Sequence, residues 1–378
     1  MKGNMRFCVP CLFGVEGLVA QELRDMGLEQ VQAENGRVLF SGGWEAMVRA
    51  NLCGRFGERV LLLLGEFPAR SFEELFQGVK ALPWEGLLGK EDAFPVTGSS
   101  LSSQLHSVPD CQAIIKKAIV ERLKAKYKLS WFAESGALHR VRFRILKDQV
   151  SVMVDTSGEG LHKRGYRALS NDAPMKETLA ASLCQLSRLR QDGHLIDPFC
   201  GSGTILIEGA LLARNIAPGL GRAFTAESWG SVPGQLWQQE RERARSLERR
   251  DTGFTAQGFD VDPAAVELTL ANAQKAGVED CITASVRDVR DFTQEGAYGC
   301  VVCNPPYGER LLDVRQAQEL YRALGQVFQP RRGWSFGVIS PDPEFESLFG
   351  RKADKRRKLY NGMIQCQYYQ YFRGSDKR

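Results

Sequence analysis

His194-Leu-Ile-Asp-Pro-Phe-Cys-Gly-Ser-Gly-Thr204 carries a short apolar stretch into a glycine turn, and the largely apolar ILIEGALLA of residues 205–213 follows it. An apolar run of strand length, then small residues, then an apolar run of helix length reads as strand, tight turn and helix. Gly201 and Gly203 permit a sharp turn and let a ligand come close to the backbone. Two phosphate-binding readings fail at once. The Gly-Lys-Ser/Thr of a P-loop is missing, and Leu206 stands where a dinucleotide fingerprint needs its third glycine. Taken alone, the motif is equally compatible with a purely structural turn.

Downstream, four further apolar runs end in turn or polar residues: TAQGFDV (255–261), ITASVRD (282–288), GCVVCN (299–304) and WSFGVIS (334–340). Helical patterns alternate with them, a rhythm that predicts a doubly wound parallel sheet with ligands beyond the carboxyl ends of its strands. Asp260 closes the second run, where a carboxylate can accept two hydrogen bonds from ribose hydroxyls. Asp262, just before Pro263, reads instead as a helix cap. Asp288 closes the third run and could accept from an adenine amine. A solvated loop aspartate is the alternative there. Asn304-Pro305-Pro306-Tyr307 follows the fourth. The prolines fix the backbone and leave carbonyls outside any ladder. The Asn304 oxygen and the Pro305 carbonyl can then both accept from one exocyclic amine, with Tyr307 offering a face for a base to stack on. RKLYNGMIQCQYYQYF (357–372) holds two strand-like runs about Asn361-Gly362, a strong hairpin signal.

The N-terminal part divides into two blocks. Residues 1–60 read strand, helix, strand, with Val15, Leu18, Val19, Leu23 and Met26 on one helical face and Gly27 as the stop. Residues 61–157 hold LLLLGEF, two helices, one of them from Asp110 to about Tyr127, and a hairpin that alternates Val141, Phe143 and Ile145 with Val150, Val152 and Val154 about Lys147-Asp148. The third block spans 165–378.

Composition is that of a globular chain: 378 residues, 43% hydrophobic, 25% charged and a net charge of +5. No apolar run approaches the roughly 18 residues of a membrane span. Pro10, Gly14 and Glu16 interrupt the N-terminal apolar stretch, so a signal peptide is not expected and a cytoplasmic enzyme is. The basic residues are unevenly spread. Lys116, Lys117, Arg122, Lys124, Lys126 and Lys128 form one crowd, and Arg351, Lys352, Lys355, Arg356, Arg357 and Lys358 another. The first crowd suits contacts to RNA phosphates. Ten cysteines include two CxxC pairs, Cys8–Cys11 and Cys300–Cys303, 289 residues apart. That spacing points to reduced, mostly buried thiols and to no metal site.

DPFCGSGT (197–204), GFDVDP (258–263) and NPPYGERL (304–311), in this order, resemble the amino-methyltransferases of the S-adenosylmethionine-dependent class. SSLSSQLHSVPDCQAIIKKAIVERLKAKY (99–127) is similar to the THUMP signature, and the block before it to a ferredoxin-like domain. LHKRGYR (161–167) and APMKETLAASL (173–183) match the link into the catalytic domain. The chain is thus identified as similar to THUMP-bearing class I RNA methyltransferases, the family that resembles the bacterial 23S rRNA guanine-N2 enzyme and is often labelled N6-adenine-specific DNA methylase for its NPPY. The resemblance implies an α/β fold: a Rossmann-like methyltransferase domain with an antiparallel C-terminal hairpin, preceded by α+β ferredoxin-like and THUMP domains. It implies S-adenosyl-L-methionine as cofactor, with Lys176 and Glu177 beside its methionine end, the loop of Asp197, Pro198, Cys200, Gly201, Ser202, Gly203 and Thr204 beneath it, Asp260 on the ribose, Asp288 on the adenine and Asn304 near the methyl. Guanine N2 of ribosomal RNA is the leading target. The same reaction on tRNA, adenine N6, and an RNA-binding protein with a relic cofactor site are the alternatives. One departure is the 57 positions between Gly203 and Asp260, against about 20 in a simple dinucleotide fold. The excess, about 214–253, contains the charged stretch QQERERARSLERR, which is expected to be a solvated helix and could help form the base pocket.

Overall fold

The computed structural model describes residues 3–167, 175–307 and 314–372. They fall into two compact units. One comprises the residues up to Cys11, Val19–Leu161 and Arg222–Arg243, the other Leu12–Leu18, His162–Gly221 and the chain from Ala244 onward.

The first unit is built on β1 (Met5–Pro10), α1 (Glu16–Asp25), β2 (Glu29–Glu34), β3 (Arg37–Gly42), α2 (Trp44–Cys53), β4 (Leu61–Pro68), α3 (Phe72–Ala81), β5 (Val96–Leu101), α4 (Val108–Tyr127), β6 (Val141–Leu146) and β7 (Gln149–Asp155). Its strands make one sheet in the order β2-β3-β1-β4-β7-β6-β5. The two blocks read from the sequence therefore share a sheet, joined at β4, which pairs antiparallel with β1 on one side and β7 on the other. Leu61, Leu62 and Leu63 are all buried, and a strand buried on both faces loses least when both its edges are also paired. The β6–β7 hairpin turns at Lys147 and Asp148, with φ of 50° and 62°, the positive values a two-residue hairpin loop requires.

The second unit contains α5 (Glu177–Leu186), β8 (His194–Asp197), α6 (Thr204–Ala213), β9 (Thr255–Asp260), α8 (Pro263–Ala276), β10 (Ile282–Val286), β11 (Gly299–Cys303), α9 (Val314–Val327), β12 (Trp334–Ser340), α10 (Phe345–Phe349), β13 (Lys355–Asn361) and β14 (Ile364–Tyr371); α7 (Gly234–Ser246) lies between α6 and β9 in sequence. The strand order is β10-β9-β8-β11-β12-β14-β13. The first five are parallel, and β14 runs antiparallel to both β12 and β13. The β/α alternation lapses once: only a 3₁₀ turn, Val289–Asp291, separates β10 from β11 among helical elements. Phe328, Trp334, Phe336, Phe345, Phe349, Tyr369 and Tyr371 form an aromatic core on one side of the sheet.

In the long segment between α6 and β9 the charged stretch 238–250 lies largely on helix α7 with most of its side chains exposed, as expected, but residues before it are core. Arg222–Arg243 belongs to the first unit, where Phe224, Trp229 and Trp237 are buried at 4%, 2% and 3% exposure. Trp229 stacks on His139 with centroids 4.4 Å apart, and its indole N–H donates to the Leu138 carbonyl at 3.0 Å. Glu240 accepts from Arg49 at 2.8 Å and from Arg243 at 2.7 Å. The buried acid of the charged string, Glu240, is thus answered inside the same unit.

Candidate active site

The strand tips form a staircase. Asp197 ends β8 level with Gly258, so Asp260, ending β9, stands two residues further out, and Val286, ending β10, pairs with Asp260. On the other side of β8, Ile196 pairs with Val301 of β11. The chain order reverses between β8 and β11, the place where ligands enter sheets of this kind. The loop Asp197–Thr204 and Asn304 flank that point.

The loop is held from three sides. Gly201 donates its N–H to Asp260 Oδ2 at 3.0 Å, Thr269 donates to the Gly201 carbonyl at 2.9 Å, and Asn272 donates to the Ser202 carbonyl at 3.0 Å. Gly201 and Gly203 have φ of 52° and 78°, a region that costs other residues about 1–2 kcal/mol. A Cβ at Gly203 would also stand 2.9 Å from Thr269 Cγ2. Pro198, Cys200, Ser202 and Thr204 are buried in the loop, and the hydroxyls of Ser202 and Thr204 lie 3.2 Å apart. Burial pushes the Cys200 thiol up to about 12, which makes it a small hydrophobe here. Asp197 is 1% exposed, accepts from the Phe199 N–H at 3.1 Å, and is pushed up to about 8 by burial.

Asp260 is half-buried, and its second oxygen accepts from the Asp262 N–H at 3.1 Å. Asp262 caps α8 through the Ala264 N–H at 2.9 Å. Beside the Asp260 carboxylate, Val261 and Val286 are 66% and 56% exposed. Two open apolar side chains next to a carboxylate at a strand tip give a flat ring a place to shed water. Sequence reasoning missed both valines, which count as ordinary strand residues until their exposure is known. Asp288 is engaged locally: its oxygens accept from the Arg290 backbone N–H and from Arg290 Nη1, each at 2.8 Å, so it caps the 3₁₀ turn.

Lys176 is the N-cap residue of α5, and Glu177 begins that helix at 4% exposure with its carboxyl raised by burial. Arg167, read only as part of a linking motif, joins these pieces. One of its amino groups donates to Thr204 Oγ1 at 2.6 Å and to the Met175 carbonyl at 3.0 Å, and stands 3.6 Å from Glu177. Nearby, Arg164 pairs with Glu208 at 3.3 Å, and the Tyr166 hydroxyl donates to Glu208 at 3.1 Å. A lone glutamate inside the apolar ILIEGALLA was the available signal, since a buried carboxylate needs a partner.

Asn304 follows β11, and its Oδ1 is buried without a hydrogen-bond partner. An unanswered buried acceptor costs about 1–3 kcal/mol, so this oxygen can take a hydrogen bond from a ligand donor. Pro305 is buried and Pro306 half-buried. Tyr307 departs from the expected open stacking face: it is 8% exposed, and its hydroxyl accepts from Asn361 Nδ2 at 3.0 Å. That bond to the β13–β14 turn draws the ring inward and makes Tyr307 an anchor of the loop. The GER of NPPYGERL and its final leucine lie outside the described residues.

The basic residues of α4 are not gathered into one patch. Lys116 donates to Glu134 at 2.5 Å and to the Phe94 carbonyl at 3.1 Å, 3.6 Å above the Phe94 ring. Arg122 forms a two-point pair with Glu85 at 2.6 and 2.9 Å, and Lys124 pairs with Glu121 at 3.2 Å. Lys117 and Lys126 are exposed, but Lys117 shares a helix side with Lys124 and Lys126 shares one with Arg122.

Among the described residues no group of three or more His, Cys, Asp or Glu could hold a metal ion, and no helix is long and apolar enough to cross a membrane. Residues 164–370 match the family described as RMKL-like, methyltransferase domain; residues 6–61 match the RlmL ferredoxin-like domain and 69–155 the THUMP domain. YpsC of Bacillus subtilis, named as an RNA methyltransferase, is 44% identical over 95% of this chain and 94% of its own length. The ribosomal RNA large subunit methyltransferase K/L of Psychromonas ingrahamii is 35% identical over 99% of this chain, which spans about half, 51%, of that protein. The crystal structure of SMU.472, a methyltransferase complexed with SAH, superposes with a TM-score of 0.94 at 42% identity over 100% of both chains. The glycine loop, the Asp260 carboxylate and the exposed valines fit the cofactor whose demethylated form that structure holds. The chain belongs to the RMKL-like family of S-adenosylmethionine-dependent RNA methyltransferases.

Proposed function

We propose that the chain methylates the exocyclic N2 amine of a guanine in large-subunit ribosomal RNA. The observation that carries the reading is the partnerless, buried Asn304 Oδ1 at the switch point. An exocyclic amine offers two N–H donors, one for Asn304 and one for the Pro305 carbonyl. Held by both, the nitrogen would be turned toward the methyl group, and the positive charge growing on it would meet two oxygens in a site with little water. The cofactor supplies a sulfonium methyl, so the N–C bond forms as the C–S bond breaks. The extra proton on nitrogen then leaves to solvent. Asp260 would hold the ribose, Val261 and Val286 the adenine ring, and Asp288 the adenine amine through a remaining lone pair. Gly201 and Gly203 would pass beneath the cofactor, with Lys176 and Glu177 at its methionine end. Arg167 would keep α5 and α6 in register around it. Ribosomal RNA is favoured by the relative named for that substrate, half of which aligns with 99% of this chain.

The test is the modified nucleoside. Incubation with 23S rRNA from a strain lacking the gene should yield N2-methylguanosine by mass spectrometry, and Asn304→Ala should lower kcat about 10²-fold or more with S-adenosylhomocysteine affinity nearly kept. N6-methyladenosine as the product would transfer the same geometry to adenine. A product on tRNA alone would move the substrate.

A further inference from the structure

The C-terminal part of the second basic crowd, Lys355 to Lys358, has no part in the site described above. It opens β13, the edge strand of the second sheet. Charged residues on an edge strand ordinarily serve to keep other strands away, and one lysine is enough for that. Here more is assembled. Side chains two apart on a strand share a face at steps of roughly 6.6 Å, so Arg356, Lys358 and Tyr360 stand in a row. Register places Gln367 opposite Lys358 and Gln365 opposite Tyr360, with the Tyr360 hydroxyl 3.5 Å from the Gln365 side chain. The Lys358 ammonium lies 5.7 Å from the Tyr360 ring centroid. Phe13 sets its ring edge-on to Tyr360 at 6.5 Å and is still 58% exposed. Its position is built: Arg357 donates to the Gly14 carbonyl at 3.0 Å, and Gly14, at φ 91°, has no room for a Cβ, which would come 2.6 Å from the Lys358 carbonyl. Among the described residues, the acid paired to the row is Glu346, which meets Arg356 at 3.3 Å with the arginine 61% exposed, a contact of the kind water and phosphate readily replace.

Cations in a row with an open phenyl ring, a half-buried tyrosine and amides beside them are the composition of a single-stranded nucleic-acid platform. Its far end adjoins the candidate site along the strand: Asn361, next after Tyr360 and turned to the opposite, buried face, donates to Tyr307 of the NPPY loop. Building on the RNA-methylating reading above, we propose that this face of the β13–β14 hairpin is where an unpaired RNA strand lands, its phosphates on Arg356 and Lys358 and a base against Phe13 and Tyr360, so that the neighbouring nucleotide is delivered to Asn304.

The experiment uses the full chain, a fluorescein-labelled oligouridylate for binding, and hypomethylated 23S rRNA for turnover. In Arg356→Glu/Lys358→Glu, oligouridylate affinity should fall about tenfold or more and the salt slope should flatten by roughly 1.4, about 0.7 for each lost contact. KM for rRNA should rise by a similar factor, with kcat and S-adenosylhomocysteine affinity within about twofold of wild type. Lys358→Arg should restore most of the loss, and Tyr360→Leu should weaken binding with little change in salt slope. Unchanged affinity and KM in the double reversal, with the loss appearing in Lys117→Glu/Lys126→Glu instead, would overturn the proposal. If wild type makes N2-methylguanosine while the hairpin variant keeps its KM, the surface alone fails. If wild type methylates another base and the hairpin variant loses binding, the surface stands and the guanine reading falls.

Discussion

Asp197 sits under the glycine loop at 1% exposure with its carboxyl at about 8 instead of 3.8. Between those values the unfolded chain has released the proton and the folded chain still holds it. Stability therefore falls as pH rises from about 4 to about 8, by up to ~1.4 kcal/mol per unit, and levels off above the folded value. In the cofactor-free protein, Asp197→Asn should be the flatter of the two when urea stability is followed across pH 5 to 8. Parallel curves would mean that Asp197 is ionised in the folded state. The residue type was legible in the sequence as part of DPFCGSGT. Its burial was not, because that depends on β9 and β11 closing over it from positions more than 50 residues away in sequence.

Among the elements, the β13–β14 hairpin joins a turn signal to chemistry. Asn361-Gly362 is readable as a hairpin turn, and the register through Asn361 and Ile364 bears that out. What the pattern could not say is that the Asn361 amide would reach Tyr307, 54 positions earlier. A buried hydrogen bond of this kind contributes about 1 kcal/mol, more if one partner is stranded. Tyr307→Phe and Asn361→Ala are each expected to lower kcat roughly five- to tenfold by loosening the NPPY loop, and the double variant should lose little beyond the worse single one. Losses that multiply in a double-mutant cycle would show that the two residues act separately. The α4 helix gives the converse lesson. Its lysines and arginine form a cluster in sequence, but helical geometry sends them to different sides, and Glu85, Glu121 and Glu134 answer three of them.

At the scale of the molecule, the methyltransferase part of the chain lends Arg222–Arg243 to the first unit. Arg222 donates to the carbonyls of Glu159 and Gly160 at 2.7 and 2.6 Å, and Trp229 fills a site against His139. Residues 160–378 alone would leave Phe224, Trp229 and Trp237 without that surround. Exposed aromatics of this size promote association, so the fragment should aggregate or bind a hydrophobic dye such as ANS strongly, as judged by size-exclusion chromatography and fluorescence. Residues 1–161 alone should be stabilised on adding a peptide of 222–243. A monodisperse 160–378 fragment with native S-adenosylhomocysteine affinity would show the lent segment to be dispensable.

The parallel sheet, the hairpin at its end, the glycine turn and the carboxylates at the strand tips were legible in the order of residues, because strand and turn patterns are local and each needs only a few neighbouring residues to be read. Which acceptor stays unanswered at Asn304, which valines stay open beside Asp260, that Arg167 ties α5 to α6, and that part of a charged insertion is core were settled only on folding. Those outcomes turn on burial and pairing between distant segments, and a charge or an apolar side chain carries no mark in the sequence of whether a partner will arrive.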